Sequence, residues 1–418
     1  MNQKERLTAS IHREIEQSEC YGWIPSPAED DREVRCITFR DYMDRCLYDE
    51  TDGYYKSGHV RVGKDGDFYT SSQVGSLMGE KLASCIDQLI NVDEEERLTI
   101  VEWGAGTGAL SRQMLTAWLD ASRPWLSRLQ YIVVDSNPVH LNEARSCLEP
   151  VQERMGEGGF IAFMTPDEAR SVLQGRRERA VHQERDVQQQ TIIVANELLD
   201  AFPVHRVQQK NGQLWELGVT TTDSTELATS TANATASAAA EKGELFKYVC
   251  MPLSDERILS VLERDGIRLM EGQIAEVNLA AEDWIAELGE MISRGALLLV
   301  DYGHEAAELT APHRMHGTLL CYKDHVAYDR PFLAPGEQDI TAHVNFTACK
   351  AAAGAAGWNV HYYDTQKQFL IDHGLLQDLV AHDGMNPFSE AARRNRAIRQ
   401  LLLSDGMSEA FKVLVLHK

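Results

Sequence analysis

The chain has 418 residues, with 41 Lys plus Arg against 64 Asp plus Glu and a formal net charge of −23. That length can bury a sizeable core without disulfide or metal staples, and the acidic balance repels phosphate backbones, which argues against nucleic acid as a partner. The eight cysteines are scattered and form no C-x-x-C pair, so no zinc ribbon or thioredoxin-like motif is signalled and no metal is expected.

Met1–Cys20 is polar and charged, without an apolar signal region or transit-peptide character. No run approaches the roughly 18 apolar residues of a membrane span. A cytoplasmic protein without membrane contact is expected. Amphipathic segments in the first ninety residues, notably Gly75–Leu89, predict an N-terminal helical cap over residues 1–95. Four short apolar runs follow: Leu98–Val101, Tyr131–Val134, Thr191–Ala195 and Ala296–Val300. Such unbroken runs suit parallel strands buried on both faces. Helical patterns over Ala109–Asp120, Leu141–Leu148 and Ala275–Ile292 alternate with them, which predicts a doubly wound α/β sheet. Gln174–Gln190 and the Thr/Ser/Ala-rich Thr220–Ala240 read as insertions. Around the second, Val204–Gln208, Gln213–Val219 and Leu245–Met251 predict a small antiparallel β extension over residues 204–274. The core is expected over 96–203 and 275–418, with a substrate-side insertion at 305–350. Val360–Tyr363 and Phe411–Leu416 would close the sheet, the last strand antiparallel because no helical crossover follows it.

The strong runs end in Glu102, Asp135, Asn196-Glu197 and Asp301. Ligands of open α/β sheets sit outside the carboxyl ends of the strands, so these acids point to one site. Any one of them alone could be a helix cap. Glu102-Trp103-Gly104-Ala105-Gly106-Thr107-Gly108-Ala109 follows a strand and opens a helix. Its glycines permit positive φ and close backbone approach to a ligand. Gly104-x-Gly106-x-x-Ala109 also fits a dinucleotide fingerprint. Glu102 before the turn and the Gly104-x-Gly106-x-Gly108 spacing favour S-adenosylmethionine instead. Asp135, at the next strand end beside Ser136, can accept both ribose hydroxyls under either reading.

Four further motifs carry a resemblance. They are Gly66-Asp67-Phe68-Tyr69-Thr70-Ser71 followed by Gly79-Glu80; Asn196-Glu197-Leu198-Leu199-Asp200-Ala201-Phe202-Pro203-Val204-His205; Asp301-Tyr302-Gly303-His304; and Ala334–Ala342. In this order they resemble the MidA-type methyltransferases, from about Ile37 to the C-terminus. Ser72-Gln73 and Asn345 depart from the usual Pro-Glu pair and Asp. The resemblance implies a Rossmann-like class I methyltransferase core, S-adenosylmethionine as cofactor, and a protein substrate methylated on arginine, such as a respiratory-complex subunit. It also implies that Gly66, Asp67, Tyr69 and Thr70 form a lid strip over the cofactor, with Asp67 on its amino group.

A guanidinium has five N–H donors and no acceptor. Two carboxylates can grip it and aim one nitrogen at a methyl group. Glu197 and Asp200 suit that task, Asn196 can hold the methionine part or the nucleophile through its amide, and His304 can accept a proton. His205 reads as structural. A small-molecule methyltransferase, or a cofactor-binding assembly chaperone without turnover, remains an alternative. An NAD-linked oxidoreductase ranks below both. The oligomeric state is not legible.

Overall fold

The computed structural model describes residues 2–24, 32–56, 76–93, 96–156, 158–182, 189–222, 244–381, 386, 388–403 and 407–418. The chain divides into two compact units, each assembled from separated stretches. One comprises residues 58–200, 282–304 and 349–418, and the other residues 1–57, 201–281 and 305–348.

The first unit is a mixed sheet flanked by helices. Its strands are β1 (Leu98–Trp103), β2 (Leu129–Val134), β3 (Phe160–Met164), β4 (Gln190–Asn196), β5 (Gly295–His304), β6 (Asn359–Thr365) and β7 (Phe411–His417). Their spatial order is β6-β7-β5-β4-β1-β2-β3. The first five are mutually parallel, while β7 runs antiparallel between β5 and β6, as the lack of a following crossover implies. β1 and β5 are buried along nearly their whole length, which is why they read as unbroken apolar runs. Helices α1 (Leu77–Leu89), α2 (Ala109–Asp120), α3 (Pro138–Met155) and α4 (Pro166–His182) belong to this unit. Leu82 and Ile86 of α1, Met114 of α2 and Leu148 of α3 share one core with Ile100, Val133, Ile192, Leu298 and Val415 of the sheet. The Trp118 indole N–H closes α2 onto α1 by donating to the Ala83 carbonyl at 3.0 Å.

The second unit holds an antiparallel sheet through His205–Lys210, Gln213–Thr221 and Phe246–Met251, joined at its edges by Ile274–Val277, Tyr21–Ile24 and Arg32–Arg35. Buried Phe39, Tyr42, Phe246 and Phe332 are part of its core. Arg206 is buried within it. Its guanidinium reaches Glu276, the Tyr248 hydroxyl and the His316 carbonyl at 2.6–3.0 Å, so the buried charge is fully partnered.

Three expectations need correction. β3 was not anticipated: it is a short edge strand with Phe160 exposed, so its apolar signal is weak. Gln174–His182 is not an aperiodic insertion but the second half of α4. Asp167 and Glu168 in its first turn favour that helix, and Thr165 and Glu168 exchange hydrogen bonds across its start. Ala275–Ile292 is not one helix: Ile274–Val277 pairs with His205–Gln208, and the helix begins at Leu279. Residues 223–240 of the expected loop tip lie outside the described residues.

Candidate active site

Strand register brings the expected edge together. Trp103 pairs with Val134 and with Ala195, and Val300 pairs with Asn196. The carboxyl ends of β1, β2, β4 and β5 are therefore level, and β1 sits at the point where the strand order reverses. The glycine turn leaves β1 there. Gly104 and Ala105 both donate to the Val134 carbonyl, at 2.9 and 3.0 Å. Gly104, Gly106 and Gly108 have φ of 73°, 54° and 77°, the left-handed region that side chains disfavour. A Cβ on Gly104 would also stand 2.9 Å from Leu198 Cδ1. Helix α2 starts without a side-chain cap, leaving its first N–H groups and the positive end of its dipole for a ligand.

The two acids of β1 and β2 are built into the turn. Glu102 is buried, and its Oε2 accepts from the Ser111 hydroxyl and, at 3.1 Å, the Tyr131 hydroxyl. Burial raises its carboxyl pKa to about 7, against the hydrogen bonds from Ser111 and Tyr131. At 2% exposure Glu102 underpins the turn rather than lining its surface. Asp135 accepts the Gly106 N–H on Oδ2 at 2.8 Å and the Asn137 N–H on Oδ1 at 2.8 Å. One lone pair on Oδ2 is left for a hydroxyl. Ser136 beside it is half-buried.

At the end of β4 the backbone turns sharply. Glu197 takes φ 53° and donates its N–H to the Val300 carbonyl at 2.8 Å. Such a conformation costs energy in a non-glycine residue and persists where the surroundings enforce it. Asp301 enforces it: Oδ2 accepts the N–H groups of Leu198, Leu199 and Asp200 at 3.1, 2.9 and 3.4 Å. Burial pushes the Asp301 carboxyl well above the usual range, and the charges of Asp200 and Glu197 push it further. The Asn196 amide donates to Glu197 Oε1 at 3.2 Å, which turns its Oδ1 the other way. That oxygen is buried and meets no hydrogen-bond partner among the described residues. The Tyr302 hydroxyl donates to Asp200 Oδ2, and His304 lies two residues further along β5, half-buried. Gly66, Asp67, Tyr69 and Thr70 lie outside the described residues. His205 belongs to the second unit and pairs with buried Glu216 at 2.8 Å. Ser111 and Tyr131 escape sequence reasoning, because only the strand register and the first turn of α2 bring them to Glu102.

The residues present fit S-adenosylmethionine. The uncapped N–H groups at the start of α2 suit a carboxylate. Asp135 Oδ2, with one open lone pair, is an acceptor for a hydroxyl of that ligand. Among the described residues no cluster of His, Cys, Asp or Glu could hold a metal ion.

Strand order, turn and acceptor-lined edge together define a class I S-adenosylmethionine-dependent methyltransferase. Residues 77–364 match a family model described as "Putative S-adenosyl-L-methionine-dependent methyltransferase", and the chain belongs to that family. It is 28% identical to a Burkholderia thailandensis protein whose crystal structure contains S-adenosyl-homocysteine, with a TM-score of 0.76 over 100% of this chain and 92% of that one. The Danio rerio protein arginine methyltransferase NDUFAF7, mitochondrial, is 25% identical over 90% of this chain and 82% of its own. The Drosophila melanogaster NDUFAF7 homolog, also named mitochondrial, is 25% identical over 83% of this chain and 74% of its own. S-adenosylmethionine is the cofactor and methyl transfer the reaction. These relatives overturn the expectation of a cytoplasmic protein, since they are named mitochondrial. A polar N-terminus and unpaired cysteines do not distinguish one reducing compartment from another.

Proposed function

We propose that the methyl acceptor is an arginine side chain of a protein, a respiratory-complex subunit being the type the family resemblance implies. One observation carries the reading: the end of β4 offers acceptors and acids, with Asn196 Oδ1 buried and unsatisfied beside a Glu197 held at φ 53°. A guanidinium, all donors, is complementary to that arrangement. The arginine methyltransferase names of the relatives support it.

S-adenosylmethionine, when bound, supplies a methyl group activated by its sulfonium. The protein's own contribution is orientation and charge. The glycine turn and Asp135 hold the cofactor. Glu197 and Asp200 hold the guanidinium in line, and Tyr302 fixes Asp200 by donating to it. Asn196 accepts an N–H on Oδ1, and His304 receives the proton that the methylated nitrogen sheds.

The test is Glu197→Gln, which keeps shape and an acceptor and removes the charge. It should bind S-adenosylhomocysteine within about threefold of wild type while incorporation of labelled methyl into protein falls by at least roughly a hundredfold. Retained incorporation would remove Glu197 from the site.

A further inference from the structure

His140 lies in the first turn of α3, five residues after Asp135, and is 3% exposed. Its Nδ1 is 3.2 Å from Asp135 Oδ1. An ionised carboxylate only accepts, so Nδ1 carries the hydrogen in that contact. In the neutral ring Nε2 is then a bare acceptor, and it is buried without a hydrogen-bond partner among the described residues. Nearby Leu141, Ala144 and Leu148 belong to the apolar core. For packing alone an aliphatic side chain would serve this position better, because it would bury no unsatisfied nitrogen. What the histidine adds is one donor aimed at Asp135. Oδ1 is thereby occupied twice, by His140 and by the Asn137 N–H, while Oδ2 is left with the Gly106 N–H and a single open lone pair.

We propose that His140 is a positioning residue for cofactor binding: it fixes the Asp135 carboxylate so that Oδ2 meets both the glycine turn and a ribose hydroxyl of S-adenosylmethionine. The inference rests on Asp135 as the ribose acceptor. It separates the two faces of that carboxylate, one held by the protein and one offered to ligand.

Three variants of the full chain test it, with S-adenosylhomocysteine affinity by calorimetry and melting temperature read for each. In His140→Asn the amide nitrogen falls where Nδ1 stands. In His140→Gln, closer to histidine in volume, it falls near Nε2. His140→Leu has no donor. Gln and Leu should weaken S-adenosylhomocysteine binding roughly tenfold and Asn by less than about threefold, the scale of one hydrogen bond to a charged group. A role in packing alone would make Gln the mildest change and track the melting temperature, and that pattern overturns the proposal. Equal affinity in all three overturns it too, as does equal loss in all three. If His140→Leu does not fold, the Asn and Gln pair decides. Asp135→Ala separates the layers. If it binds as wild type, the ribose reading fails and the proposal with it. If it weakens while Gln and Leu do not, only His140 is removed.

Discussion

Asp135, the proposed ribose acceptor, has a second task that the sequence does not show. Its place at the end of β2 marks it for a ribose, and the structure adds that it also staples Gly106. Asp135→Ala should therefore weaken S-adenosylhomocysteine by about ten- to a hundredfold, since it removes a charged acceptor and loosens the turn together. Calorimetry showing unchanged affinity would place the ribose elsewhere. Gly106 sits at φ 54°, so Gly106→Val forces a β-branched side chain into a region it avoids, at a cost of roughly 1–3 kcal/mol. The variant should keep its far-ultraviolet circular dichroism and lose S-adenosylhomocysteine binding. Wild-type affinity in that variant would show that the turn does not touch the ligand. Glu102 has a packing role that its motif does not announce. Its position before the glycines suggests a ligand contact, yet burial places it under the turn with Ser111 and Tyr131. Nothing in the linear sequence separates an acid beside a ligand from an acid beneath one.

The strands that position the site were legible because they are buried on both faces, as the neighbours Ile100 and Val101, Ile132 and Val133, Ile192 and Ile193, and Leu297 and Leu298 show. β3, half-exposed at the edge, and α4, whose charged surface hides its period, were not. Packing also carries a pH signature. The Glu102 carboxyl titrates near 7 in the fold against 4.5 in its ordinary state, so between those values the fold keeps a proton that the unfolded chain has lost. Stability from this group is complete below about 4.5 and declines as pH rises toward 7. Glu102→Gln should remove that decline, gaining on wild type by up to roughly 3 kcal/mol between pH 5 and 8 in urea unfolding. Parallel curves would mean that Glu102 ionises normally. Helix α1 gives the opposite sign. Arg394, on the helix Glu390–Leu403, bridges Glu80 at 2.7 Å and Asp378 at 2.9 Å, and Lys81 meets Asp378 at 2.7 Å. Burial opposes ionisation of Glu80, but hydrogen bonds from Arg394 and Ser76 bring its pKa below the usual value. Arg394→Ala should cost about 1 kcal/mol at pH 7 and less as pH falls below the ordinary glutamate range, because the protonated acid no longer needs its partner. An equal loss at pH 4 and pH 7 would assign the effect to packing.

The methyltransferase sheet is built from three stretches of chain, 58–200, 282–304 and 349–418, and the intervening residues form a second unit with its own sheet and core. β4 and β5 are adjacent and parallel although about a hundred residues separate them, because the chain builds a separate sheet between the two. The composition around residues 204–274 announces antiparallel strands, but not that residues 1–57 join the same unit, since Tyr21–Ile24 pairs with Phe246–Met251 through a contact with no local signal. A protein-arginine acceptor makes the most exposed claim about the whole molecule. Incubating the full chain and a protein extract with methyl-labelled S-adenosylmethionine, then hydrolysing the labelled protein to amino acids, reads that claim directly. Label in methylated arginine, absent when Glu197→Gln replaces wild type, is the expected result. Label confined to small molecules, or found in another amino acid, would contradict it.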